Sequence, residues 1–292
     1  MYYTQTINGA KAHVFDTKDL NKCEVVLSSS ASVRTLSTLA YDDIPKGCRE
    51  VARVNAALFQ ADTSNPSVPY GTHLGWEYSD MQKTSCLSDS SADVIQFKDG
   101  SILMGDINEK DVDLEKIKWA YTGSHVILKD GQDVTILANW RTKYPQGKYC
   151  WSWFASRDDG TYVIGAIDSA ATCDTNSIRT YLKGLGCTNA IINDGGGSAE
   201  LIVGGVVKNR AKSTERAIAN GLFIYESTTK EVQQSSKEDE YKKALEQIKA
   251  IADKVLLWQA CNSRWCLDSQ SLWVSHFRWS ITIPWWFRHS RK

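Results

Sequence analysis

At 292 residues, with 42% hydrophobic and 23% charged side chains, the chain has room for one sizeable core and the composition of an ordinary globular domain. Lys plus Arg equals Asp plus Glu at 34 each, so no long-range field favours an acidic polymer, and no nucleic-acid partner is expected. Met1 to Ile7 lacks the basic start and apolar core of a signal peptide, and no run approaches the roughly 18 apolar residues of a membrane span, so synthesis in the cytoplasm is expected.

In chain order, Tyr2 to Ile7 and Ala12 to Phe15 read as strands joined by an Asn8-Gly9 turn, with Val25 to Leu27 a third. Ser37 to Tyr41 is expected to form a short helix. Val51 to Phe59 is a largely apolar strand interrupted by Asn55, an amide placed either to satisfy the fold or to meet a ligand. Gln60 to Thr72, rich in Ser, Asn and Pro, reads as a long loop of the kind that often carries function. His73 follows it as a loop or core histidine.

Three hairpins are signalled next. Val94 to Phe97 and Ile102 to Met104 flank Asp99-Gly100. Trp119 to Leu128 and Val134 to Ala138 flank Lys129 to Gln132. Tyr149 to Ala155 and Tyr162 to Ile167 flank Asp159-Gly160, and the last strand ends at Asp168. Asp174 or Thr175 caps a helix with Ile178, Tyr181, Leu182 and Leu185 on one face, closed by Gly184 or Gly186. Val206-Val207 and Ala217 to Tyr225 supply the closing strands. The eight cysteines form no Cys-x-x-Cys pair, which argues against structural zinc. Free thiols are the default, with Cys150–Cys173 or Cys173–Cys187 the alternative bridges.

The expected fold is α+β over residues 1–225: mixed, mostly antiparallel sheets with hairpins and a few packed helices. Composition changes at Glu226. Residues 226–239 form a polar linker. Within 240–257, Tyr241, Leu245, Ile248, Ala252 and Val255 recur at spacings of four and three, the seam of an amphipathic or coiled-coil helix through which a homo-oligomer could form. Residues 258–292 hold six of the 11 tryptophans with few acids, a basic segment without helical or alternating period. An irregular tail is expected there, and membrane contact by it is the lesser reading.

The chain is organised around Asn189-Ala-Ile-Ile-Asn-Asp-Gly-Gly-Gly-Ser-Ala-Glu-Leu-Ile-Val203, which reads as strand, tight glycine turn and strand with a carboxylate at each lip, Asp194 and Glu200. Bare glycine backbone lets amides approach a ligand closely. This stretch, together with Glu215-Arg-Ala-Ile-Ala-Asn220, resembles the phosphodiester glycosidase family, whose marks are an Asn-Gly-Gly-Phe-Phe-like strand, an Arg-Thr-Ala-x-Gly strand, a strand ending in Asp, a Leu-Asp-Gly-Gly-Gly-Ser turn and a Glu-Arg-Pro-x-Ala-Asn close. Asn55 to Phe59, Ile167-Asp168, Asn193 to Ser198 and Glu215 to Asn220 match the first, third, fourth and fifth. The second departs: Trp151 stands where the family has Arg. Trp cannot imitate the two-pronged phosphate contact of Arg, although its face can stack on a sugar.

The resemblance implies cleavage at an anomeric carbon, chemistry that usually needs two carboxylates. Asp194 and Glu200 are the leading catalytic candidates and Asp168 the third. Asn55 would bond a sugar hydroxyl. Gly195, Gly196, Gly197 and Ser198 would cradle phosphate oxygens, and Arg216 would neutralise the phosphate or pair with Asp194 or Glu215. Trp151 would contact the sugar. No cofactor is expected; Asp194 or Asp168 are where a divalent cation could sit, though no ligand spacing supports one. The expected partner is a carbohydrate or sugar phosphate, in a bacterial or phage protein carried on the virion or released on lysis. A non-catalytic glycan-binding or structural module is the alternative.

Overall fold

The computed structural model describes residues 1–41, 44–60, 70–75, 77–79, 82–84, 91–135, 149–168, 171–210 and 214–228, and six helical positions between 245 and 252. The chain divides into two compact units, Met1–Glu231 and Val232–Lys292. The first holds three antiparallel sheets. One has seven strands, in the order Tyr2–Ile7, Ala10–Asp16, Tyr162–Ile167, Ser152–Ser156, Asn189–Ile192, His125–Lys129 and Gln132–Asp133. The second has five: Val206–Arg210, Glu200–Val203, Cys48–Asn55, Ala217–Ser227 and Cys23–Thr35. The third, also of five, runs Gln82–Thr84, Glu77–Ser79, Ile117–Tyr121, Ser91–Phe97 and Ile102–Asn108.

Side-chain alternation along the strands separates four cores. A central cluster takes Phe154 and Ile191 from the first sheet, Val54 and Leu222 from the second, and Val94, Trp119 and Tyr121 from the third. The alternate residues fill the outer faces. Trp153, Ala155 and Ile192 pack with Ile178 and Leu182 of the helix Thr175–Gly184. Phe223 and Tyr225 lie in a cluster on the second sheet, and Ile95 and Ile117 in one on the third. Asp174 caps that helix by accepting from the Ser177 amide, as the sequence pattern predicts, and also holds Asn8 at 2.7 Å.

The architecture is mostly antiparallel sheet. Among the described residues one helix exceeds two turns, fewer than the few packed helices expected. Ser37 to Tyr41, expected to form a short helix, begins in a turn over 36–38 and continues without regular structure through 39–41. The run Trp119 to Leu128 is two strands of different sheets, parted at Thr122-Gly123-Ser124. Gly123 permits the crossing, because a Cβ there would stand 2.8 Å from the Ile192 carbonyl. The other hairpins form around Asn8-Gly9, Asp99-Gly100 and Asp159-Gly160. Cys23, Cys48, Cys150, Cys173 and Cys187 carry free thiols. Leu245, Ile248 and Ala252 lie at helical positions and are exposed; Tyr241 and Val255 of the expected seam and the segment 258–292 fall outside the described residues. No helix among the described residues is long and apolar enough to cross a membrane.

Candidate active site

The strand Cys48–Asn55 ends at Asn55, a fully buried amide that clamps the glycine turn across its mouth. Its Nδ2 donates to the Asp194 carbonyl at 2.6 Å, and its Oδ1 accepts from the Glu200 amide at 3.1 Å. Asn193, also buried, donates back to the Asn55 carbonyl at 2.7 Å and accepts from the Tyr121 hydroxyl at 2.8 Å. Ser152 Oγ donates to the Asp194 carbonyl at 3.2 Å. Two adjacent strand ends are thereby fastened to each other by side-chain amides, which fixes where the Asp194 carboxylate stands. Asn55, expected to meet a sugar hydroxyl, has both ends of its amide engaged by the turn.

The turn Gly196–Ser198 requires glycine for two reasons. Gly196 has φ +59, and a Cβ there would strike the Tyr149 hydroxyl; a Cβ on Gly195 would lie 2.7 Å from the Trp151 ring. The Gly195 amide donates to the Asp194 carboxylate, the Gly196 amide to the Cys150 carbonyl at 2.8 Å, and the Ser198 amide to the Gly195 carbonyl at 3.3 Å. These three amides shape the turn itself.

Asp194 is partly accessible, but protein packs densely around its carboxyl, and that desolvation raises its pKa from 3.8 to about 6. The Ser198 hydroxyl, the positive charge of Arg216 and the Gly195 amide pull in the opposite direction and are outweighed. Arg216 donates to Ser198 Oγ at 3.3 Å, and its guanidinium lies 5.3 Å from the centre of the Phe59 ring. Glu215, the adjacent carboxylate, bonds Ser37, accepting from its amide at 2.6 Å. Asp194, Ser198 and Arg216 are thus brought together from two separate motifs.

Glu200 is buried at the head of the strand Glu200–Val203, tied to the same clamp through its backbone. Asp168 is placed differently. Its carboxylate pairs with His13 at 3.3 Å and lies 3.9 Å from Lys11, both on the N-terminal hairpin, while Tyr2 bonds the far nitrogen of His13. Trp151 is 5% exposed. It packs beneath Gly195 with its ring edge-on to His125 and Tyr149, so its described contacts are with protein. Among the described residues no group of three or more His, Cys, Asp or Glu could hold a metal ion.

Behind the turn lies a network that sequence reasoning missed. His73 Nδ1 stands 2.6 Å from the Glu77 carboxylate, which accepts from Asn220 Nδ2 at 2.8 Å; Asn220 Oδ1 in turn accepts from the Ala57 amide at 2.7 Å. All three side chains are buried, and they anchor the segment that follows Asn55. Asn220 closes a recognisable motif, but nothing local to His73 or Glu77 signals the pairing.

A family model described as phosphodiester glycosidase matches residues 49–225. Among solved structures, the catalytic domain of zebrafish N-acetylglucosamine-1-phosphodiester alpha-N-acetylglucosaminidase, auto-inhibited by its pro-peptide, is similar in fold with TM-score 0.57 and 19% identity, over 76% of this chain and 80% of that one. A hypothetical protein from Synechocystis aligns with TM-score 0.50 and 12% identity, over 77% of this chain and 61% of that one. No curated protein matches the sequence. The motifs converge on one clamped turn, the matched span covers most of the first unit, and the chain belongs to the phosphodiester glycosidase family.

Proposed function

We propose that this chain hydrolyses a sugar held in phosphodiester linkage, cleaving at the anomeric carbon with Asp194 as the working carboxylate. The observation that carries the reading is the grouping of Asp194, Ser198 and Arg216 at the clamped turn, with the Asp194 pKa raised to about 6 by desolvation. A phosphate leaving group needs little protonation, so the demand falls on an ionised carboxylate at the sugar and a cation at the phosphate. Asp194 supplies the first, by activating water or by direct attack. Arg216 supplies the second, pre-oriented by Ser198 and the Phe59 face. Glu200, fixed across the turn, is the second carboxylate of the pair such chemistry generally uses. The substrate class follows from family membership and from the name of the zebrafish neighbour, which specifies an N-acetylglucosamine 1-phosphodiester.

The test is release of free sugar from a panel of sugar 1-phosphodiesters by the full chain. Turnover that vanishes in Asp194→Asn supports the reading, and failure to cleave any member of the panel overturns it. A specific observation favours a second reading, glycan binding without turnover: Trp151 occupies the position of the family's Arg and is buried under the turn. Saturable binding of the same sugars without cleavage would select it.

A further inference from the structure

The segment 149–152 runs along the glycine turn and touches it at each residue. The Cys150 carbonyl accepts from the Gly196 amide at 2.8 Å, and Ser152 Oγ donates to the Asp194 carbonyl at 3.2 Å. The two aromatic residues meet the two glycines. A Cβ on Gly195 would lie 2.7 Å from the Trp151 ring, and one on Gly196 would lie 2.6 Å from Tyr149 Cζ. The Tyr149 and Trp151 ring centres are 5.1 Å apart at 64°, an edge-on contact.

These neighbours differ in what they leave open. Trp151 is 5% exposed, whereas Tyr149 is 43% exposed, the most of any Phe, Trp or Tyr among the described residues. Tyr70 follows at 37%, but it is committed to the fold: its hydroxyl donates to the Ala217 carbonyl at 3.3 Å and its ring meets Phe59 edge-on. The Tyr149 hydroxyl has no hydrogen-bond partner among the described residues. Its backbone is fixed nonetheless, since Tyr149 and the buried Cys173 exchange amide-to-carbonyl bonds at 3.2 and 3.1 Å.

A lone exposed aromatic elsewhere on a surface would call for no explanation. Tyr149 is set apart by its place. No more than about 7 Å of backbone separates Asp194 from the glycine that Tyr149 abuts, and the Asp194 side chain is itself partly accessible. The cation borders another part of the turn, where Arg216 meets Ser198. A ligand that suits both borders joins an anionic group to an uncharged ring with an apolar face. A pyranose carrying phosphate at its anomeric carbon has this form. The C–H groups on one side of a pyranose make an apolar, slightly positive surface that complements the negative face of a phenol ring. An acyclic polyol has no such surface.

We infer that Tyr149 is the platform on which the sugar ring of the substrate stacks, a specificity-determining residue that favours a pyranose over an acyclic polyol on the same phosphate. The inference rests on the Asp194 reading for where the phosphodiester lies. It assigns stacking to the exposed neighbour of Trp151, whose own ring is buried. The contact is made in ground state and transition state alike, so it lowers KM and leaves kcat nearly unchanged.

The experiment is calorimetric binding to the full chain carrying Asp194→Asn, so that no ligand is consumed, with N-acetylglucosamine 1-phosphate and glycerol 1-phosphate as probes. Adding Tyr149→Ala should weaken the sugar phosphate about tenfold, near the upper end for one aromatic contact, and leave the weaker binding of glycerol 1-phosphate unchanged. Tyr149→Phe keeps the ring and should bind as the parent does. With Asp194 restored, Tyr149→Ala should raise KM for an N-acetylglucosamine 1-phosphodiester about tenfold at nearly constant kcat. The inference is overturned if the parent does not bind the sugar phosphate, if Tyr149→Ala binds it undiminished, if both probes weaken equally, or if Tyr149→Phe loses as much as Tyr149→Ala. A fall in kcat at constant KM would overturn it as well. If Tyr149→Ala fails to fold, Tyr149→Leu takes its place, filling the space beside Gly196 without an aromatic face, and undiminished binding there has the same force. Ring-dependent binding without cleavage by wild type would sink the cleavage reading alone, and cleavage with undiminished binding in Tyr149→Ala would sink the platform alone.

Discussion

Asp194 carries two opposed demands, a position fixed by the protein packed densely around its carboxyl and a charge that such a position disfavours. Its raised pKa makes the neutral form the stabilising one. That contribution is fully present below pH 3.8 and is lost as pH rises through about 6. Asp194→Asn stays neutral throughout. The stability difference between variant and wild type should therefore move toward the variant by up to about 3 kcal/mol between pH 4 and 7, at 1.36 kcal/mol per pKa unit. Denaturant unfolding at the two pH values measures it, and parallel curves would contradict the assigned burial. Turnover should fall by ~10²–10⁴ in the same variant. Arg216 acts on Asp194 through its charge, which lowers the pKa. Arg216→Met should accordingly shift the acidic limb of kcat/KM to higher pH, besides weakening phosphodiester binding; an unmoved limb would separate Arg216 from Asp194. At Trp151 the family's Arg has no open face to occupy. Trp151→Arg buries a guanidinium among aromatic rings and should cost several kcal/mol, read as a fall in Tm.

The glycine turn holds its shape because elements distant in sequence close around it. Asn55 reaches Asp194 across 139 residues and Glu200 across 145. Asn55→Ala removes two hydrogen bonds, leaving the buried Glu200 amide unsatisfied and the Asp194 carbonyl with Ser152 Oγ alone, for an expected loss of about 2–3 kcal/mol with turnover impaired even where the fold survives. A variant as stable and active as wild type would show that the clamp is dispensable. What the sequence made legible follows the same division. Hairpins at Asn8-Gly9, Asp99-Gly100 and Asp159-Gly160 are local chemistry, and so is the Asp174 cap; all four are visible in short windows. Asp194, Ser198 and Arg216 were marked by motif, so their convergence could be anticipated. The break at Gly123 could not, because it depends on a carbonyl some 70 residues away, and an apolar run alone does not say which sheet it joins. The pairing of Glu77 with Asn220 spans 143 residues and left no trace in spacing. Asp168 matched the family pattern, yet only the folded hairpin shows that His13 and Lys11 are its partners.

For the whole molecule, the described core residues run from Ile7 to Tyr225, and the last strand closes with Thr228 bonded to the Gly47 carbonyl at 2.7 Å. The first unit therefore contains a closed set of cores and its own edge strands. A chain ending at Glu231 is expected to fold cooperatively, with Tm within roughly 5 °C of the full chain, equivalent to about 1–2 kcal/mol. A larger drop would mean that the C-terminal segment contributes to the stability of the sheets. The candidate active-site residues all lie within this unit, and so the site should survive this truncation.

Cleavage of a sugar phosphodiester by the clamped, desolvated Asp194 carries a signature in its pH dependence. The most direct measurement is the pH profile of kcat/KM for sugar release from an N-acetylglucosamine 1-phosphodiester, with wild type and Asp194→Asn side by side. Cleavage that rises with pH through about 6 and reaches a plateau, and that falls at least about a hundredfold in the variant, is the expected result. No cleavage by wild type, or a variant within about tenfold of it, would contradict the account.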